Sequence, residues 1–88
     1  MAWTLEYTRS ARKVVERLDH EARNRIREYF TLRVAVLTNP RDLGKALKGP
    51  LSRYWAYRVG DHRIICDIQD QRVVILVVEV GNRRDVYK

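Results

Sequence analysis

The sequence predicts a small α+β domain, in which a helical hairpin packs on a mainly antiparallel four-stranded sheet in the order β-α-α-β-β-β. Three observations carry this reading. Apolar residues recur at helical spacing over residues 11–37 and at the two-residue spacing of strands after residue 54. Pro40, Gly44, Gly49 and Pro50 gather between those halves and mark a connector. The 88 residues suffice for one compact domain, 1–88, and not for two.

Trp3, Leu5 and Tyr7 alternate with Thr4 and Glu6, the pattern of a short strand. Thr8 or Ser10 then caps a first helix, whose apolar stripe is Ala11, Val14, Val15 and Leu18, with Arg12, Lys13, Glu16 and Arg17 on the wet side. Asp19 is suited to cap a second helix with the stripe Ala22, Ile26, Phe30, Val34 and Leu37, which Asn39-Pro40 ends. The connector at 39–50 is expected to hold one helical turn at Leu43 to Leu47. Tyr54 to Val59, His62 to Ile68 and Arg72 to Val80 are rich in β-branched and aromatic residues, and Gly60-Asp61 and Gln69-Asp70-Gln71 separate them as turns. Val73 to Val78 is apolar on both faces, which predicts an interior strand.

Composition narrows the function classes. The longest near-continuous apolar run, Val73 to Val78, is too short to span a bilayer. The start Met1-Ala2-Trp3-Thr4 lacks the basic and apolar regions of a signal peptide, so a cytoplasmic location and no membrane partner are expected. Cys66 is the single cysteine, which precludes an internal disulfide, and its apolar surroundings suit a buried hydrophobe better than a nucleophile. With His20 and His62 the only imidazoles, and no metal-ligand spacing, neither a metal nor a small-molecule cofactor is expected. The net charge of +7 suits a polyanionic partner, nucleic acid or acidic protein. Residues 1–44 carry nine Lys/Arg against six Asp/Glu, and residues 45–88 carry nine against five, so the fold must create any basic patch.

If Gly60-Asp61 forms a two-residue loop, Val59 lies opposite His62, Arg58 opposite Arg63, Tyr57 opposite Ile64, Ala56 opposite Ile65 and Trp55 opposite Cys66. Paired residues share a face. Ala56, Arg58 and Arg63 therefore project to one side, while Trp55, Tyr57, Val59, His62, Ile64 and Cys66 project toward the helices. Adjacent arginines repel, so compensation is expected either from solvent and a carboxylate such as Asp67 or Glu79, or from a bound phosphate. Arg83, Arg84 and Tyr87 follow the last strand, where a sheet end can bring them beside that pair. His62 is expected to pack with Val59, away from the arginines. His20 is expected in a solvated turn, and Trp3 and Trp55 in the core.

The segments Leu47-Lys48-Gly49-Pro50-Leu51 and Trp55-Ala56-Tyr57-Arg58-Val59-Gly60-Asp61-His62-Arg63-Ile64 closely resemble the middle of the RelE/ParE toxin superfamily. The ending Val80-Gly81-Asn82-Arg83-Arg84-Asp85-Val86-Tyr87 resembles its RelE branch, and the resemblance covers nearly the whole chain. It implies a RelE-like fold and a metal-independent mRNA endonuclease acting on the ribosome at the A-site codon. It also implies inhibition by a cognate acidic RelB-type antitoxin. Matched position by position, Arg58, Arg63, Arg83 and Tyr87 correspond to catalytic residues; Lys48 and Arg84 are further expected to hold RNA phosphate.

In that chemistry the ribose 2′-OH attacks its own 3′ phosphate in line. Arginines around the phosphate stabilise the growing negative charge more in the transition state than in the ground state. With a pKa above about 12, arginine serves poorly as a base, so positioning and charge stabilisation dominate. Tyr87 is suited to stack on a base, to orient the 2′-OH, or to accept its proton. Two positions depart from the family pattern. Ala56 stands on the arginine face where relatives usually carry a basic residue, and Asn82 stands where many carry histidine. The missing charge at 56 predicts reduced activity. Two alternatives remain: a ParE-type DNA gyrase inhibitor without nuclease activity, and a basic RNA-binding module that holds phosphate without cutting.

Overall fold

The computed structural model describes residues 2–82. The elements are β1 (Thr4–Tyr7), α1 (Arg9–Arg17), α2 (His20–Tyr29), β2 (Lys45–Ala46), β3 (Trp55–Val59), β4 (His62–Gln69) and β5 (Val74–Asn82). The sheet has the order β1-β5-β4-β3-β2, with β1 parallel to β5 and the other pairs antiparallel. Thus β5 is interior, as its two apolar faces predict. The sheet has five strands where four were expected.

Local chemistry sets the helix starts. Thr8 Oγ1 accepts from the Ala11 N–H at 3.2 Å, and Asp19 Oδ1 from the Ala22 N–H at 2.7 Å. Each such cap satisfies a donor that the first helical turn leaves orphaned. The second apolar stripe holds as expected, with Ile26, Phe30 and Val34 buried, but the α-helix ends at Tyr29. Residues Phe30–Val34 form a π turn, closed by the Ala35 N–H on the Phe30 carbonyl at 2.7 Å. The widened turn still delivers Phe30 and Val34 to the core.

That core is built from Ala11, Val15, Ile26, Phe30 and Val34 on the helical side and Tyr57, Val59, Ile64, Cys66, Ile75, Val77 and Val80 on the sheet. Trp3 and Trp55 pack against it, half-buried. A bulge between Ile65 and Cys66 shapes β5. Ile65 pairs with Glu79 and Cys66 with Val77, so Val78 is the extra residue. Strict alternation from Ile75 and Val77 would turn Glu79 inward. The bulge resets the phase, so that Val80 enters the core and Glu79 is exposed.

Two local expectations are corrected. The turn expected at Leu43 to Leu47 is not helical. Pro40–Asp42 forms a 3-10 turn capped by Asn39, and Lys45–Ala46 then pairs with β3 as an edge strand. The reason is tertiary. The buried Tyr57 hydroxyl donates to the Pro40 carbonyl at 2.7 Å, and Gly44 lies so close to the same ring that a Cβ there would be 2.9 Å from Tyr57 Cζ. These contacts fasten the connector and bring residue 45 to the edge of β3. Likewise β5 begins at Val74, not Arg72. Val73 adopts φ 55°, donates its N–H to the Asp70 carbonyl and accepts from the Thr4 N–H, which closes the turn instead of extending the strand.

Candidate functional site

Gly60 takes φ 59° while Asp61 stays at negative φ, the pattern of a II′ hairpin turn. A two-residue turn fixes the register, which is the one the sequence predicts: Val59 opposite His62, Arg58 opposite Arg63, Tyr57 opposite Ile64, Ala56 opposite Ile65, Trp55 opposite Cys66. Tyr57, Val59, Ile64 and Cys66 are buried toward the helices. Ala56, Arg58 and Arg63 therefore share the opposite face, Arg58 exposed and Arg63 half-buried.

The carboxylate compensation considered for these arginines is not what the structure contains. Asp67 receives Arg53 at 3.3 Å and the Gln69 amide at 3.2 Å, while Arg53 also lies over the Tyr54 ring. Glu79 ion-pairs with neither arginine, and among the described residues Arg58 and Arg63 have no salt bridge. Two guanidiniums thus stand side by side with neither carboxylate engaged.

One row of this face runs Lys45, Ala56, Ile65, Glu79 across β2, β3, β4 and β5. Ile65 is only 7% exposed yet lies outside the main core cluster, and with Ala56 it makes a small apolar floor beside the arginines. Lys45 joins the same face from the edge strand. No sequence pattern announces it, because a two-residue strand has no periodicity to read.

The remaining expected site residues are less close. Lys48 is exposed between β2 and β3, ahead of the Gly49–Leu51 turn and off the row. Arg83, Arg84 and Tyr87 lie outside the described residues. The last described pairs are Arg63 with Gly81 and His62 with Asn82. His62 lines a depression with Val14, Leu18 and Val80, on the helical side and away from the arginines. His20 is exposed at the start of α2 and bonds to Asn24 at 3.0 Å.

Burial pushes the Cys66 thiol well above its ordinary pKa, with the neighbouring Asp67 charge adding to the effect, so the thiol stays protonated at neutral pH. Burial likewise raises the Tyr57 hydroxyl, which acts as a structural donor. Among the described residues no three His, Cys, Asp or Glu side chains group as metal ligands, and no helix is long and apolar enough to cross a membrane. The arginine face can bind an oxyanion such as a phosphodiester, whose non-bridging oxygens accept from guanidinium forks, and a bound anion there relieves the like-charge repulsion.

The fold has solved counterparts. The toxin-antitoxin complex RelBE2 from Mycobacterium tuberculosis contains a chain similar at TM-score 0.83 with 22% identity, covering 94% of this chain and 93% of that one. The isolated RelE toxin from E. coli matches at TM-score 0.73 with 20% identity, covering 98% and 92%. The RelE-RelB complex from Pyrococcus horikoshii matches at 0.71 with 20% identity, covering 94% and 97%. At these identities the likeness establishes the fold, which is that of RelE. No curated protein sequence matches the chain. Residues 5–87 match the sequence profile described as ParE toxin of type II toxin-antitoxin system, parDE. The chain therefore belongs to this toxin family, within the RelE/ParE superfamily.

Proposed function

We propose that this toxin is a RelE-branch endoribonuclease that cuts mRNA in the ribosomal A site. The observation that carries the reading is the Arg58–Arg63 pair, two opposed guanidiniums with no carboxylate partner among the described residues. Neither guanidinium is tied up by a carboxylate among the described residues, which leaves the pair open to a phosphate. Attack by the 2′-oxygen forms a P–O2′ bond and breaks the P–O5′ bond. The arginines stabilise charge on the phosphoryl oxygens and the leaving oxygen. Arg83 adds a cation from the tail, Tyr87 assists at the 2′-OH or the base, and Lys48 and Arg84 hold flanking phosphates. The chemistry uses no metal ion or other cofactor, and the ribosome supplies alignment of the mRNA. The site acts in the cytoplasm.

The inhibitor in this reading is an acidic RelB-type antitoxin. Two of the solved counterparts named above are complexes with an antitoxin, and a net charge of +7 favours fast association with an acidic partner.

A second reading, inhibition of DNA gyrase without nuclease activity, is favoured by the match to the ParE profile. Purified protein incubated with programmed ribosomes, followed by mapping of mRNA ends, separates the two when a gyrase supercoiling assay runs in parallel. Cleavage within the A-site codon, lost in Arg63→Ala and Arg83→Ala, supports the nuclease. Gyrase inhibition without cleavage moves the assignment to the ParE branch, and salt-dependent RNA binding with neither activity leaves only a binding module.

A further inference from the structure

Position 56 is where the arginine face lacks a charge, and the structure places a cation directly beside it. Lys45 is the cross-strand partner of Ala56. Cross-strand partners share a face, with Cα atoms about 4.5–5.5 Å apart. Lys45 is diagonal to Arg58, a separation of about 7–8 Å that long side chains bridge. It is exposed and, among the described residues, has no salt bridge. Ala56 is half-buried and presents only a methyl group there, across which the four-carbon stem of lysine can lie.

The strand that carries Lys45 is also held in place. Gly44 abuts the Tyr57 ring, and Tyr57 is buried and donates to the Pro40 carbonyl. Residue 45 is thereby fixed at the edge of the same strand that carries Arg58.

From this arrangement we infer that Lys45 binds the RNA phosphate held by Arg58 and Arg63, supplying from β2 the charge that β3 lacks at Ala56. The inference rests on the nuclease reading, and it revises the expectation that Ala56 leaves the site short of a cation. Lys45, Arg58 and Arg63 then surround Ala56, beside which the sugar next to the phosphate lies. Glu79 closes the far end of the row and keeps a second phosphate away by repulsion.

The test is a double-mutant cycle in the full-length protein with Lys45→Ala, Ala56→Lys and both together. Each variant is checked for unchanged thermal unfolding. Single-turnover cleavage of mRNA on programmed ribosomes is the first readout. The second is the salt dependence of binding to a 2′-O-methyl RNA oligonucleotide, which cannot be cut. Lys45→Ala is expected to slow cleavage at least tenfold and to reduce the slope of log K against log salt by about 0.7, the value for one single-strand phosphate contact. Ala56→Lys is expected to restore cleavage about tenfold in the Lys45→Ala background and to raise it less than threefold in the native one. Native cleavage in Lys45→Ala, or equal effects of Ala56→Lys in both backgrounds, overturns the inference. If the native protein cuts nothing, the nuclease reading fails, and the salt slope still decides: a reduced slope upholds Lys45 as a phosphate contact, an unchanged one removes it.

Discussion

Replacing Arg58 with glutamine leaves a shorter, neutral polar side chain and removes one of two charges that face each other across β3 and β4. Directly opposed side chains on antiparallel strands have Cβ atoms about 5 Å apart. Two unit charges held at that separation in water would repel by roughly 0.8 kcal/mol, an upper bound because the guanidiniums lie at the ends of long side chains that splay apart; because Arg58 is exposed the aqueous figure is the relevant one. Arg58→Gln should therefore stabilise the free protein by about 0.3–0.8 kcal/mol. In a domain of this size that raises Tm by roughly 2–5 °C. The gain should appear by circular dichroism in 20 mM NaCl and largely vanish in 1 M NaCl, where the Debye length is about 3 Å. Cleavage on ribosomes should meanwhile fall about 100-fold or more, the usual cost of losing one donor to a transition-state anion. A Tm that drops in low salt would refute the reasoning, because the guanidinium would then be holding the fold together. Unchanged cleavage would remove Arg58 from the reacting phosphate.

Other outcomes follow from the scaffold. Gly44→Ala pushes a methyl against the buried Tyr57 ring, 2.9 Å from Cζ, and should cost about 1–3 kcal/mol in urea denaturation. Val73→Asn should stabilise by about 0.5–1 kcal/mol, since φ 55° strains a β-branched residue and asparagine tolerates that region; a lower urea midpoint would contradict this. The raised Cys66 thiol makes the folded state bind a proton that the unfolded state releases above about pH 8.5. Stability should therefore be constant through neutral pH and fall on the alkaline side by up to about 1.4 kcal/mol per pH unit, a slope that Cys66→Ala should lessen between about pH 8.5 and 9, where tyrosines are still largely protonated.

The features legible in the sequence are those set by neighbours along the chain. A two-residue Gly60-Asp61 loop leaves one register for β3 and β4, and that register alone puts Arg58 beside Arg63. Thr8 and Asp19 cap their helices because the donors they satisfy are three residues away. The features that escaped notice depend on distant partners. Lys45–Ala46 is a strand only because Tyr57 grips Pro40 and Gly44. The π turn at Phe30 keeps the apolar spacing of an α-helix and changes only its hydrogen bonds. Val73 at positive φ runs against its own propensity, and the diversion of Asp67 to Arg53 joins residues 14 apart. The expected tail residues Arg83, Arg84 and Tyr87 fall outside the described range, so the legible part of the site is its sheet half.

The parallel pairing of β1 with β5 also dictates an order of assembly. β1, made before both helices, needs β5, made after β4, and β5 separates β1 from β4. Until residues 74–82 have been synthesised, the apolar stripes of α1 and α2 lack half the sheet that covers them. At about 5–20 residues per second, the growing chain spends seconds with those stripes uncovered. Folding of this protein is therefore a late event, dominated by contacts far apart in sequence and correspondingly slow. A chain truncated before β5 has a β3–β4 hairpin that can carry both arginines but no scaffold to hold them rigid.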